Sequence, residues 1–378
     1  MFSQDLHTHS RWDDGKSPIA DMADCAVHAG LTSLGVCVHT PMPFGTQACP
    51  QEKLKDFLRD VRAVRNQYAL KTGDDPVTLM SHAMRERLND MRHENAFRAY
   101  EEGSLSLKEL NLEMDRYAAA CRELTGEKGL RIYAGAEWDV LSTIPWDPQE
   151  DGTVSLASFD YVIGSVHFIT VDNPEAASLA GLPPELASGF RYRHFPVDES
   201  HQYTKHMVLG HFQGDAGEAL RRYYAQYKKI AENPYVNIVG HFDLPMKFCA
   251  MYGFLDREYH VFSEDSPAFR EAADEAMAHL VKAGKIFEIN TRTFLGADPG
   301  ASAYRTWAWL SRLHEMGGKV TIASDAHHAL DVGHRSFRAA AKLLKDRGFE
   351  EVFMLEDVRE NARIVPSFVS KPLDTLID

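Results

Sequence analysis

Cysteine is scarce in this 378-residue chain. Five residues, Cys25, Cys37, Cys49, Cys121 and Cys249, are dispersed, odd in number and never spaced as Cys-x-x-Cys. That favours reduced thiols over a disulfide framework, with Cys37 read as a small core residue inside a strand. Positive charge is also short: 41 Lys and Arg face 55 Asp and Glu, a net charge of -14. Such a balance argues against a nucleic-acid backbone binder, whose affinity rests on basic side chains. It leaves room for a local basic pocket holding one small anion. No run of about 18 apolar residues is present, so no membrane-spanning segment is expected. Met1-Phe2-Ser3-Gln4-Asp5 lacks the basic and apolar regions of a signal peptide, and a cytoplasmic location is expected. Repeats and low-complexity tracts are missing too. The hydrophobic content of 44% is ordinary for a globular protein. Length permits two or three domains, yet single barrels often run this long.

What is present is a recurrence. Short apolar runs, the mark of buried strands, stop at a polar side chain seven times. They are Asp5-Leu6-His7-Thr8-His9, Val36-Cys37-Val38-His39, Ala134-Gly135-Ala136-Glu137, Gly164-Ser165-Val166-His167, Ile238-Val239-Gly240-His241, Ile289-Asn290 and Ala323-Ser324-Asp325-Ala326-His327. Strands are expected at 4–9, 33–38, 131–137, 159–167, 235–241, 285–290 and 319–325. Between the first two, Ser17-Pro18 predicts an N-cap and first helical proline, Ile19, Met22, Ala23, Ala26 and Val27 keep helical spacing, and Gly30 stops the helix. Further helices are expected at 218–232, 267–283 with Ser266 as cap, 302–316 and 337–347. This alternation points to an α/β fold with a parallel sheet and right-handed crossovers. Val352–Leu355 reads either as an eighth strand or as a terminal extension.

Two interruptions break the pattern. Residues 41–128 are charged and predict helices at 51–71, 78–101 and 106–124. These read equally as helices laid over the barrel, in part a lid, or as a spacer or oligomer contact. Residues 171–217 form a loop rich in Pro, Gly, His and Arg. A loop so long inside a compact domain is functional or disordered as a rule, and this one leaves directly after His167.

Carboxyl ends of parallel barrel strands meet at one mouth, where active sites of such barrels lie. The run ends would gather His7, His9, His39, His167, His241, His327, Glu137 and Asp325 there. Singly, a His-x-His or a strand-end histidine is weak evidence, and a satisfied core histidine is the plain alternative. Jointly they point to a multi-metal centre. Histidines such as His28, His82, His93, His279 and His314 fall on predicted helices or loops and read as structural, whereas His328 and His334 stay ambiguous. Imidazole mixed with carboxylate suits zinc, iron(II) or manganese. Eight ligands exceed the need of one ion, so two or three are implied, with Glu137 able to bridge. Clustered ions make hydroxide available near neutral pH and clamp substrate oxygens. That chemistry fits phosphoester hydrolysis first, and amide or lactone hydrolysis second.

With these motifs assembled, the chain resembles the PHP (polymerase and histidinol phosphatase) superfamily, and within it the monofunctional histidinol-phosphate phosphatases. The resemblance rests on Asp-Leu-His7-Thr-His9-Ser, Val-His39-Thr-Pro, Gly-Ala-Glu137-Trp-Asp, Gly-Ser-Val-His167-Phe-Ile, Val-Gly-His241-Phe-Asp-Leu, Phe-Glu-Ile-Asn290-Thr and Ser-Asp325-Ala-His327. It implies a distorted (β/α)7 TIM-like barrel, here a single domain over 1–378, to which the two interruptions add a helical insertion at about 45–128 and an active-site loop at about 171–216. It further implies a trinuclear centre: His7, His9, Glu137 and Asp325 on one ion, Glu137, His167 and His241 on a second, His39 and His327 on a third. The family adds a histidine after its first motif, where this chain reads Trp12-Asp13-Asp14-Gly15. Asp14 is the expected oxygen ligand in its place and Asp13 the fallback, a harder donor that tilts this position toward manganese or magnesium.

For phosphate, arginine offers a planar fork. Arg191, Arg193 and Arg292 are the candidates, with surface ion pairing an equal reading of each. Asp325, His194 and a metal-bound water stay open as general acid. The implied activity is hydrolysis of L-histidinol phosphate to L-histidinol and phosphate by a metal-bridging hydroxide. Alternatives are another small phosphate ester or nucleotide as substrate, a non-catalytic metal-stabilised scaffold, and, third, nucleic-acid processing. The oligomeric state is not readable.

Overall fold

Seven strands form one parallel sheet in the order β1 (Gln4–Asp5), β2 (Ser33–Val36), β3 (Arg131–Asp139), β4 (Tyr161–Ser165), β7 (Ile238–Val239), β8 (Ile286–Asn290) and β9 (Lys319–Ala323). The computed structural model describes residues 4–44, 47–68, 130–171, 194–199, 201–247, 262, 266–294, 307–333, 336–360 and 363–374. The sheet curls into a nearly closed barrel. Its two edges meet at a single parallel bridge, Thr8 with Ala326. There the His9 N–H donates to the Ala326 carbonyl at 2.7 Å and the Ala326 N–H to the His7 carbonyl at 3.2 Å. The buried Asp5 carboxylate completes the seam by accepting from the Ser324 N–H (3.0 Å), the Ser324 hydroxyl (2.6 Å) and the Gly333 N–H (3.0 Å). Burial pushes its pKa up to about 6 in spite of those donors.

The expected α/β barrel is therefore present, with strands shorter than the apolar runs. Toward the mouth the ladder continues only as isolated parallel bridges, Thr8 with Ala326, His9 with Cys37 and His39 with Glu137. His7, His167, His241 and Asp325 each lie two residues beyond the end of a strand. Glu137 instead sits inside β3, which continues to Asp139.

Helices cover the outside. α1 spans Ile19–His28 and α2 spans Leu54–Tyr68, after a 3-10 turn at Gln51–Lys53. The Ser17 cap is not formed: Pro18 is the N-cap residue, and the Ser17 hydroxyl accepts from the Ala329 N–H at 3.0 Å instead. A tertiary partner outcompetes the local one. After β5 (Phe168–Thr170) and β6 (His194–Pro196), which pair antiparallel, come α3 (His201–His211), α4 (Ala216–Ala225) and α5 (Tyr227–Glu232). The single helix expected at 218–232 is thus two. It starts early because Asp215 caps α4 through the Glu218 N–H, and it breaks at Gln226. α6 (Pro267–Lys282) has its Ser266 cap as expected, and α7 (Ala308–Glu315) and α8 (Ser336–Asp346) follow. The predicted helices 78–101 and 106–124, and positions 172–193 of the long loop, lie outside the described residues. None of the described helices is long and apolar enough to cross a membrane. Cys25, Cys37 and Cys49 are buried thiols without a disulfide.

The chain ends in a hairpin, β10 (Glu351–Glu360) against β11 (Arg363–Pro372). Val352–Leu355 is therefore a terminal extension rather than an eighth barrel strand. It closes the end of the barrel away from the mouth: Gln4 donates its amide to the Leu355 carbonyl (2.8 Å) and accepts from the Leu355 N–H (2.9 Å). Leu355 then packs with Leu6, Cys37, Tyr133, Tyr161, Ile163 and Ile238. Tyr161 fills the barrel interior, its hydroxyl bonded to the Leu6 carbonyl. A Cβ at Gly35 would overlap the Tyr161 oxygen and stand 2.9 Å from the Leu6 Cα. Gly35→Ala should therefore destabilise the fold by about 3 kcal/mol, the upper part of the range for overpacking. Denaturant unfolding reads this directly, and an unchanged midpoint would show that the strand can move aside.

Candidate metal centre

Glu137 is the hub of the mouth. Its Oε2 lies 3.3 Å from His7 Nε2, 3.1 Å from His9 Nε2 and 3.0 Å from His39 Nδ1. Its Oε1 lies 3.3 Å from His167 Nε2 and 2.9 Å from His241 Nε2. Five imidazoles thus face one buried carboxylate. Yet Oε2 makes no hydrogen bond among the described residues, and Asp14 Oδ1 and His241 Nδ1 share that condition. Buried polar atoms are normally satisfied, and orphans need an explanation. A cation among the donors supplies one. His7 Nε2 and His9 Nε2 lie 3.1 Å apart, two ring nitrogens aimed at the same volume.

Three sets of donor atoms fall within 4.8 Å of one another: His9, Asp14, His39 and His327; His7, His9 and Asp325; and His39, Glu137 and His167. Every residue named from the sequence as a ligand is in this cluster. The grouping differs from the expected one, since His9 and His39 are each shared between two sets and His241 enters through Glu137. Of the two aspartates, Asp14 faces the cluster, with His327 Nε2 at 3.1 Å from its Oδ2. Asp13 is engaged elsewhere, accepting from the His39 N–H at 2.9 Å and meeting His9 Nδ1 at 2.7 Å.

That last contact belongs to a second layer the sequence did not reveal. Glu288 meets His7 Nδ1 at 2.6 Å and accepts from the His241 N–H at 2.8 Å. Asp139 stands 3.1 Å from His167 Nδ1 and accepts from the His167 N–H at 3.0 Å. A carboxylate on one ring nitrogen fixes the tautomer and turns the other nitrogen toward the ion site, the usual support of metal-binding histidines. Asn290 donates to Asp325 Oδ2 at 3.1 Å and to Glu288 Oε2 at 3.2 Å. Spacing held a signal: Glu288 is two residues before Asn290, so both face into the barrel. A carboxylate within the apolar run Ile286-Phe287-Glu288-Ile289 needed a buried partner.

Electrostatics follow from this crowding. Burial alone would raise the Glu137 pKa, but His39, His7 and His167 outweigh it and hold the group well below the carboxylate range. Asp325 is likewise kept ionised against burial by His7, His327 and Arg292. Burial disfavours the His9 imidazolium, yet Asp13 and Glu137 bring its pKa up to about 10. Asp325 also adopts left-handed backbone, φ 54°, a conformation that aspartate tolerates better than most residues and that concentrates at functional sites.

Arg292 reaches the cluster, its Nη1 2.8 Å from His327 Nδ1 and 3.7 Å from Asp325 Oδ1, with 43% of the side chain exposed. Arg191 and Arg193 lie outside the described residues, as does His334. His328 is structural: it caps the turn Ala329–Asp331 through the Leu330 N–H. His194 stands 3.0 Å from Thr170 Oγ1 and stacks on Phe44, on the hairpin that leaves His167.

The family profile of the PHP domain matches residues 5–292. The chain belongs to the PHP family. Among curated proteins, a "Probable histidinol-phosphatase" of Deinococcus radiodurans is 25% identical over 334 residues, which is 87% of this chain and 86% of that protein. A "Probable phosphatase" of Caldanaerobacter subterraneus is 31% identical over 124 residues, 33% of this chain and 39% of that one. A solved structure from Listeria monocytogenes, described as "putative histidinol phosphatase hisK", superposes with a TM-score of 0.53 at 14% identity, covering 89% of this chain and 99% of the other. At that identity the likeness speaks for the PHP barrel alone.

Proposed function

We propose that this PHP domain is a metal-dependent phosphomonoesterase that hydrolyses L-histidinol phosphate. The observation that carries the reading is Glu137, a buried carboxylate whose two oxygens face five imidazoles while one oxygen lacks any hydrogen bond among the described residues. A donor set this dense suits two or three divalent ions, with zinc, manganese and iron the metals its nitrogen and oxygen ligands favour. We assign His7, His9, His39, Glu137, His167, His241, Asp325 and His327 to hold them, with Asp14 completing the His9–His39–His327 group. When bound, such ions acidify water and offset charge on a phosphoryl group.

The remaining work falls to the chain's own side chains. Glu288, Asp13 and Asp139 turn the rings of His7, His9 and His167 toward the centre. Arg292, partly exposed beside His327, is placed to pair with phosphoryl oxygens as charge spreads over them in a loose transition state. Arg191 and Arg193 remain further candidates on the loop after His167. We place Asp325 among the ion-holding groups, and His194 on the leaving-group side, stacked on Phe44. Support for histidinol phosphate as substrate comes from the name and near full-length coverage of the Deinococcus relative.

The test is a steady-state panel of phosphomonoesters combined with elemental analysis of the purified protein. Histidinol phosphate should show the highest kcat/KM, and the protein should contain at least two metal equivalents. Equal turnover of a nucleotide or a sugar phosphate would favour the second reading, a PHP phosphoesterase acting on another small ester.

A further inference from the structure

Among the described residues, a group of aromatic rings flanks the mouth on one side. Phe44, from the segment after β2, meets Phe168 and His194 of the paired strands β5 and β6 there. Phe44 meets Phe168 edge to face at 5.2 Å and lies stacked with His194 at 5.3 Å and 17°. The chain of rings continues inward, from Phe168 to His167 at 6.4 Å and from His167 to His39 at 5.5 Å. It therefore starts among the candidate ion-holding residues and leads away from them.

Strand alternation explains why these rings are not simply core. On the β5–β6 hairpin, Ile169 and Phe195 turn inward and are fully buried. Phe168, Thr170, His194 and Pro196 occupy the opposite face and are only half-buried, as is Phe44. The backbone under the rings is tied down. The Pro41 carbonyl accepts from the Ser142 hydroxyl (2.7 Å) and the Thr143 N–H (2.9 Å), three residues before Phe44. The Phe168 carbonyl accepts from the Gln226 amide at 2.8 Å, and the Val197 N–H donates to the His167 carbonyl at 2.9 Å. His194 is steadied by Thr170, 3.0 Å from its Nδ1. Half-buried aromatic faces held on fixed backbone are what a planar ligand needs to stack on, with centroid separations of about 4.5–7 Å.

We infer that Phe44, Phe168 and His194 form the subsite for the leaving group, and that they select esters whose alcohol carries a planar aromatic or heteroaromatic ring. The inference rests on the phosphomonoesterase reading. Phosphate sits at the metal cluster, and the alcohol extends along His167 to the ring wall. A ring stacked on Phe44 gains attraction in ground state and transition state alike, so the wall sets KM more than kcat.

O-Phosphoethanolamine is histidinol phosphate without its imidazolylmethyl arm, and so isolates the ring. The ratio of kcat/KM for histidinol phosphate to that for O-phosphoethanolamine should fall roughly tenfold in Phe44→Leu, at the upper end of what one aromatic contact supplies, mostly through KM. Phe168→Leu, checked for wild-type metal content and melting temperature, serves as the second variant. Titration calorimetry of the metal-loaded protein with L-histidinol against ethanolamine, each in the presence of phosphate, gives an activity-free readout and should show the same loss. An unchanged ratio together with unchanged histidinol affinity in both variants would overturn the inference. Should wild type hydrolyse neither ester, the functional reading fails on its own, and the calorimetry still decides the wall.

Discussion

Glu137→Gln should lose phosphatase activity by more than the roughly 100-fold at which removal of an outer-layer partner tops out, and should purify with fewer metal equivalents. The amide keeps the shape of the carboxylate but offers one oxygen in place of two and carries no charge. A group whose two oxygens face five imidazoles would hold cations more weakly by that change alone. Glu288→Gln provides the graded comparison. It leaves every assigned ligand in place and weakens the hold on His7 Nδ1 and on the His241 N–H, so metal affinity should fall by about 10- to 100-fold. Wild-type kcat/KM and metal content in Glu137→Gln would remove the basis of the functional assignment.

Stripping the metal should change the sign of the pH dependence of stability. In the metal-free protein, burial opposes protonation of His9, but Asp13 and Glu137 prevail and its pKa reaches about 10. His7 and His167 are raised as well, burial again being outweighed by neighbouring carboxylates. Between the unfolded histidine value near 6.5 and about 10, the folded state then binds more protons than the unfolded state. The slope of unfolding free energy with pH is therefore negative, and stability is lost as pH rises through that window. With ions bound the imidazoles are already unprotonated, so the unfolded chain binds more protons below about pH 7. Stability of the loaded protein should accordingly rise from about pH 5.5 to 7.5 and then level off. Ion at a hundredfold excess over its dissociation constant adds about 2.7 kcal/mol, and removal by chelator should lower the melting temperature by on the order of 5 °C. Parallel slopes for the stripped and loaded protein, measured by thermal unfolding across this range, would show that the imidazoles do not hold the ion.

Much of the candidate site was readable because its donor side chains follow one rule, a polar side chain at the carboxyl end of a buried apolar strand. That rule alone named His7, His9, His39, Glu137, His167, His241, Asp325 and His327, and strand topology brings all eight to one mouth. It could not choose between Asp13 and Asp14. The two are adjacent in the chain and alike in chemistry, and only the engagement of Asp13 by His9 Nδ1 and the His39 N–H leaves Asp14 facing His327. Nor could it anticipate the outer carboxylates. Glu288 and Asp139 act through partners 281 and 28 residues away, pairings that no local spacing encodes.

By itself the sequence determined the class of fold and the identity of the converging donors, because period, burial and strand termination are local properties of the chain. Three things were decided only in three dimensions. The barrel closes through Asp5 on Ser324 and Gly333. The last apolar stretch becomes a hairpin seated on Gln4 and Leu6. The donors divide into sets that share His9 and His39. Each depends on distances between residues remote in sequence, fixed by how a curled sheet brings its edges together.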